Sequence, residues 1–293
     1  RLPAVAYFHE NQLTYPVQVE DARDLHFGIT NFVTALAADQ VWFNSAFHQN
    51  DFLNALDVIW KQMPDRPPRC EVTEIREKSH VFPPAVGEFP PRGVRCPGPL
   101  QIVWAARWEH DKNPDTLFAA LKQLLDRKID FHISVLGESF RETPAIFADA
   151  QRWLAGHIKH WGFLAPEDYR QALVQADVFV STAQHEFFGI SAAEAMMAGA
   201  YPVLPNRLAY PELLTGLSEQ HKTLFLYDGT VQQLAQRLEA LAGRLQQGRL
   251  WEIPASAVQQ LIQRFQWPTA SAEMDRALER LCGEHREREH LPC

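Results

Sequence analysis

Two glutamates, Glu186 and Glu194, stand eight positions apart in the stretch HEFFGISAAE, with Phe187, Phe188 and Gly189 between them. An ionised carboxylate accepts through two oxygens, which suits the vicinal 2′ and 3′ hydroxyls of a ribose or the hydroxyls of a sugar. Gly189 leaves backbone N–H groups accessible where the next helix begins, and the helix dipole stabilises an anion there. Glu186 falls in the loop, within reach of whatever those amides hold. Glu194 falls in the first helical turn and has a second explanation. Ser191-Ala192-Ala193-Glu194 has the form of a capping box, in which Glu194 reaches back to the cap. Residue types and spacing do not separate cap from ligand holder.

A second candidate lies upstream. In RWEHDKN, Arg107 and Lys112 share one strand-to-helix loop. Two cations beside the free N–H groups of a helix start make a phosphate or diphosphate site; the alternative is surface charge partly balanced by Glu109 and Asp111. Gly137, at the end of FHISVLG, lets a ligand approach the backbone or serves an ordinary turn. Gly162 and Phe163 can set a base or sugar against backbone and ring, although a turn with a core phenylalanine is favoured when the pair is taken alone. His9 ends the first strand-like run. It can donate to a sugar hydroxyl or make a local hydrogen bond. His26, His48 and His185 have no paired metal spacing, so no metal site is expected.

These residues need elements to hold them. AVAYF (4–8) is a short buried strand, followed by the loop HENQLTYPV. Residues 24–38 have helical spacing, and 39–45 form a strand ending in the capping pair Asn44 and Ser45. A helix follows and stops at PDRPP (64–68). HVFPPAV (80–86) is a strand broken by prolines. GEFPPRGVRCPGP (87–99) reads as an interdomain linker. Six strand–helix units then follow, with strands at 101–106, 131–137, 158–163, 177–182, 201–205 and 224–228. Near-continuous apolar strands alternating with helices predict a parallel sheet covered on both faces. Ligands bind such a sheet at the carboxyl ends of its strands, where the candidate loops lie. From Trp251 the chain looks helical, and then charged in GEHREREH.

Hydrophobic residues at 46% and charged residues at 22% fit a globular chain, and no apolar run approaches the ~18 residues of a membrane span. The net charge of −8 counts against a general nucleic-acid binder without excluding an RNA substrate. Cys70, Cys96, Cys282 and Cys293 are widely spaced, which argues against zinc and for a reducing, cytoplasmic setting. The chain opens on Arg1 and directly on a strand. It is therefore expected to be a fragment with an incomplete N-terminal domain.

The order Arg107, Lys112, then Glu186-x7-Glu194 followed by AMMAG and YPV resembles the retaining, nucleotide-sugar-dependent glycosyltransferases of the GT-B fold. YFHENQLTYPV (7–17), FNSAFHQNDF (43–52) and STAQHEFFGISAAEA with PNRLAYPEL (181–213) narrow this to similarity with the tRNA-queuosine α-mannosyltransferase family or its bacterial relatives. The resemblance implies two Rossmann-like domains facing a cleft: a partial acceptor-side domain (1–86), the linker (87–99), a nucleotide-sugar domain (100–275) and a charged tail (276–293). It implies retaining transfer of mannose from GDP-mannose to queuosine in tRNA, with no cofactor, no metal and no membrane. By matching position, Arg107 and Lys112 would neutralise the diphosphate and Glu194 would take the ribose hydroxyls. Glu186 would hold the donor sugar beside the backbone of Phe188 and Gly189, and His9 would face that sugar. Gly137, Gly162 and Phe163 would border the nucleoside. Alternatives are the same fold acting on a lipid, glycan or small molecule, and an inactive nucleotide-binding fragment.

Overall fold

The computed structural model describes residues 2–14, 25–61, 69–139 and 143–289. Tyr15 to Val17 of the first loop, the proline stop at 64–68 and Cys293 lie outside the described residues. Two compact units are present, one of residues 1–85 with 265–293 and one of residues 86–264.

In the first unit, β1 (Val5–Phe8), β2 (Gln40–Phe43) and β3 (Ser79–Val81) form a parallel sheet in that order. Val5 pairs with Gln40 and Val41 with Ser79. The helices are α1 (Leu25–Ala37), α2 (Ala46–Lys61) and α3 (Arg69–Glu77). Val41, Phe43, Phe52, Leu53 and Ile75 make the centre of the core. Ser45 caps α2 by accepting from the His48 N–H at 2.9 Å, as its position between strand and helix predicts. The expected strand at 80–86 ends at Val81. Phe82 still donates to the Phe43 carbonyl, but Pro83 and Pro84 have no N–H to continue the ladder. Helix α3, which buries Val72 and Ile75, is an element the sequence reading lacks.

The second unit holds a six-stranded parallel sheet in the order β6-β5-β4-β7-β8-β9. Its strands are β4 (Leu100–Ala105), β5 (Phe131–Leu136), β6 (Ile158–Gly162), β7 (Val178–Val180), β8 (Tyr201–Pro205) and β9 (Leu226–Tyr227). The helices are α4 (Pro114–Asp126), α5 (Ala145–Trp153), α6 (Pro166–Gln175), α7 (Ile190–Met197), α8 (Tyr210–Leu213), α9 (Glu219–Phe225), α10 (Val231–Gln246) and α11 (Ala255–Gln263). The expected strand 224–228 shrinks to two residues because α9 runs through Phe225. Strand order reverses between β4 and β7, so the loops after these two strands open at the topological switch point.

Residues 87–99 form neither helix nor strand, yet they are anchored. The side chains of Arg92 and Arg95 reach the fully buried carboxylate of Asp177 at the foot of β7, each at 2.8 Å from Oδ1. The backbone N–H of Gln101 donates to Oδ2 at 2.9 Å. The expected boundary at 275 and the charged tail at 276–293 do not match the division. Residues from Phe265 on group with the first unit, and α12 (Trp267–Glu289) is one continuous helix. Ala270, Ala277 and Leu281 recur on its buried side, a spacing that a reading by charge alone overlooks.

Candidate active site at the sheet switch point

Lys112 ends a short 3-10 turn (His110–Lys112) in the loop after β4. Asn113 follows in the left-handed conformation and caps α4 through its side chain. That local geometry turns the lysine inward, and its side chain is only 9% exposed. Its ammonium lies 2.7 Å from the His185 carbonyl, 3.1 Å from Asp111 Oδ2 and 3.5 Å from Glu186 Oε2. The first and the last accept hydrogen bonds from it, and Asp111 is its ion-pair partner. Asp111 is fully buried and accepts no well-formed hydrogen bond, so the lysine is its main counter-charge.

The loop after β7 is tied to the same place. Gln184 N–H donates to the Asp111 carbonyl at 2.8 Å, and Thr182 Oγ1 donates to the Lys112 carbonyl at 2.7 Å. Arg207 holds the carbonyls of Ala183 and Thr182 at 3.0 and 3.2 Å. Behind the loop, Tyr227 donates its hydroxyl to the Ser181 carbonyl at 2.9 Å, and Ser181 Oγ lies 2.6 Å from the Tyr210 hydroxyl. Burial pushes the Tyr210 phenol far above its ordinary pKa, and the nearby Glu186 adds to the rise. Tyr227 is raised by burial as well.

Gly189 is the N-cap of α7 at φ +88°, a conformation that L side chains rarely adopt, and a Cβ there would come within 2.9 Å of the Tyr210 ring. Glycine provides no side-chain cap, so the first amides of α7 are left for a ligand. A shallow, open pocket is lined by Lys112, Glu186, Ser191 and Tyr210 among others. A buried cation, a half-buried carboxylate and an uncapped helix start thus converge on one concavity, which can hold an anion beside a hydroxyl-bearing group.

The capping box does not form. Helix α7 begins at Ile190, so Ser191 is its second residue and Glu194 its fifth. Glu194 Oε2 instead accepts from the Tyr169 hydroxyl at 2.7 Å. Burial raises the Glu194 pKa, while the Tyr169 bond and the Arg170 charge oppose the rise.

Arg107 sits half-buried on the Lys112 loop and is not among the pocket-lining side chains. Gly137 has φ +130°, and a Cβ would overlap the Ala106 carbonyl, so close packing of β4 against β5 accounts for this glycine. Its N–H donates to the Gly162 carbonyl at 3.1 Å. Gly162 has φ +104° with open space where a Cβ would stand, and Phe163 is 67% exposed, so the core-phenylalanine alternative fails. Phe188 is buried, leaving only its backbone for a ligand. His9 belongs to the first unit; its ring packs on Tyr7 at 4.5 Å and its carbonyl accepts from Asn44. Asp111 appeared in the sequence only as a balancing charge. Tyr169, Tyr210 and Ser181 carried no spacing signal.

Residues 91–242 match the family model of glycosyl transferases group 1. The chain belongs to this family. Residues 1–86 match the N-terminal model of tRNA-queuosine alpha-mannosyltransferase. The chain is 39% identical over 220 residues to the Drosophila melanogaster tRNA-queuosine alpha-mannosyltransferase, across 71% of this chain and 58% of that protein. It is 26% identical to a Xanthomonas oryzae GDP-mannose:cellobiosyl-diphosphopolyprenol alpha-mannosyltransferase, across 62% and 47%. The chain therefore spans about half the length of these two relatives. Among solved structures, Anabaena HepE in complex with UDP has a TM-score of 0.65 at 20% identity, covering 94% of this chain and 72% of that one. Sucrose-phosphate synthase from Thermosynechococcus elongatus has a TM-score of 0.71 at 18%, covering 94% and 67%. The fold of this family member is that of GT-B glycosyltransferases, as expected from the Arg107, Lys112 and Glu186-x7-Glu194 pattern.

Proposed function

We propose that the chain carries the donor site of a retaining mannosyltransferase that moves mannose from GDP-mannose to queuosine in tRNA. The observation that supports it best is the buried Lys112 ammonium beside Glu186 in the pocket at the start of α7. A diphosphate would exchange for one of the lysine's present partners, with Glu186 the most distant of the three. Arg107 and the α7 amides would share the charge that develops as the diphosphate leaves, in the role of an anion hole. No metal ion is assigned to this step. The bond from the sugar's anomeric carbon to phosphate breaks, the bond to the acceptor oxygen forms on the same face, and the departing phosphate takes the acceptor's proton. Glu186, released from Lys112, would hold sugar hydroxyls and stabilise positive charge on the ring. Glu194 would accept from the ribose, and Gly162 with the exposed Phe163 would border the nucleoside.

The name of the Drosophila relative and the match of residues 1–86 support tRNA as acceptor. The name of the Xanthomonas relative supports GDP-mannose as donor and keeps a lipid-linked acceptor as the second reading. Exposed Cys70, Cys96 and Cys282 are free thiols, which supports a reducing, cytoplasmic setting. No described helix is long and apolar enough to cross a membrane. The test is incubation with GDP-mannose and queuosine-containing tRNA, followed by nucleoside mass analysis. Mannosylated queuosine is expected. Unmodified queuosine together with a mannosylated polyprenol-linked glycan in a parallel reaction would give the second reading instead.

A further inference from the structure

Glu194 presents a physical puzzle. It is the fifth residue of α7, beyond the turn where the helix dipole favours a carboxylate, and its neighbours Ala192, Ala193, Ala195, Met196 and Met197 are all buried. A position serving only packing would hold an apolar residue there, since an apolar side chain of similar volume costs no desolvation of a charge. Among the described residues, the hydrogen bond this carboxylate makes is the one from Tyr169 to Oε2. Tyr169 is itself well held. It lies in the first turn of α6, where its N–H donates to the Ala165 carbonyl at 2.9 Å, and α6 packs on α7. The next residue, Arg170, donates to the Glu88 carbonyl at 3.4 Å and its guanidinium stands 5.9 Å from the centre of the Phe89 ring. Burial and the adjacent carboxylate push the Tyr169 phenol well up, so it remains a donor throughout the neutral range.

We propose that Tyr169 is a positioning residue for nucleotide binding: by occupying one oxygen of Glu194 it fixes the carboxylate and leaves the other oxygen for the vicinal hydroxyls of a ribose. This rests on the assignment of Glu194 to the ribose and deepens it. Tyr169 touches no ligand. It selects the rotamer in which the acceptor is ready, so the ligand does not have to order that side chain on binding.

The experiment compares the affinities of GDP and 2′,3′-dideoxy-GDP for the wild type, Glu194→Gln and Tyr169→Phe by calorimetry across pH 5 to 8. The wild type is expected to prefer GDP, and Glu194→Gln to erase most of that preference. Tyr169→Phe should weaken GDP roughly tenfold, the size of one hydrogen bond to a charged group, and leave dideoxy-GDP unchanged. Its GDP affinity should also begin to fall at a higher pH on acidification than that of the wild type, because Glu194 has lost the donor that favours its ionised form. If Glu194→Gln loses the preference while Tyr169→Phe keeps both the preference and the wild-type pH profile, the proposal is overturned and the Glu194 assignment stands. If Tyr169→Phe weakens both nucleotides equally, the tyrosine is structural and the proposal is overturned. A wild type indifferent to the ribose hydroxyls, or one that binds neither nucleotide, removes the Glu194 assignment and the proposal together.

Discussion

Lys112 is held by two hydrogen-bond acceptors and an ion pair with Asp111, so its replacement has two separable effects. Lys112→Ala should lower mannosyl transfer about 10²- to 10³-fold, the scale of losing one anion-stabilising donor. It also strands the buried Asp111 without its cation, so a lower melting temperature is expected as well. The double change Lys112→Met with Asp111→Asn should recover stability without recovering transfer, which a melt and a turnover assay on the same sample can separate. Glu194 gives the opposite pairing of effects. Its folded pKa lies above the ordinary 4.5 because of burial. The native state then binds the proton more tightly than the unfolded chain, so the stability linked to this group is present below 4.5 and is lost as pH rises through the folded value. Glu194→Gln removes that loss. Its melting temperature relative to the wild type should climb between pH 4 and pH 7 while its affinity for GDP falls. A stability gap independent of pH would contradict the assigned burial cost.

At the scale of elements, the Arg92–Arg95–Asp177 clamp fixes the segment before β4 to the foot of β7. Asp177→Ala removes the acceptor for two guanidinium groups and one backbone N–H, and should cost about 3 kcal/mol in urea unfolding. Arg95→Ala should cost less, since Arg92 remains. Gly137→Ala sets a Cβ against the Ala106 carbonyl at the start of the Lys112 loop, and should cost about 1–3 kcal/mol through a forced backbone shift. The strands of the second unit were legible because each is an apolar run flanked by a helical pattern, and the Lys112 and Glu186 loops were legible because each follows such a strand. Other features lay outside any local pattern. Tyr169 and Glu194 are 25 positions apart, and Arg95 and Asp177 are 82 apart, so neither pairing has a signature in spacing. The capping box failed by two residues: the preference of Gly189 for positive φ made it the N-cap in place of Ser191 and put Ser191 inside the helix. Helix α3 was hidden by the proline-rich segment before it and α9 by its abrupt passage into β9.

At the scale of the molecule, the chain's acidic balance and its two units shape what a ligand can stabilise. The residues proposed to hold the donor, other than His9, belong to residues 86–264. GDP at a hundredfold excess over its Kd should stabilise that unit by about 2.7 kcal/mol. In hydrogen exchange, the gain in protection should centre on residues 106–113 and 181–194. Protection confined to the first unit would place the nucleotide elsewhere. The buried tyrosine hydroxyls carry one more consequence. The sequence has six tyrosines, and all five in the described residues have raised pKa values: Tyr7 to about 12, with Tyr169, Tyr201, Tyr210 and Tyr227 also displaced upward by burial. An unfolded chain sheds phenolic protons from about pH 10. Stability tied to these groups is therefore whole below that point and drains away as alkali is added, because the unfolded state binds fewer protons. Ultraviolet phenolate absorbance from these five tyrosines then becomes an optical gauge of the fold: faint while they are buried, and rising when alkali exposes them.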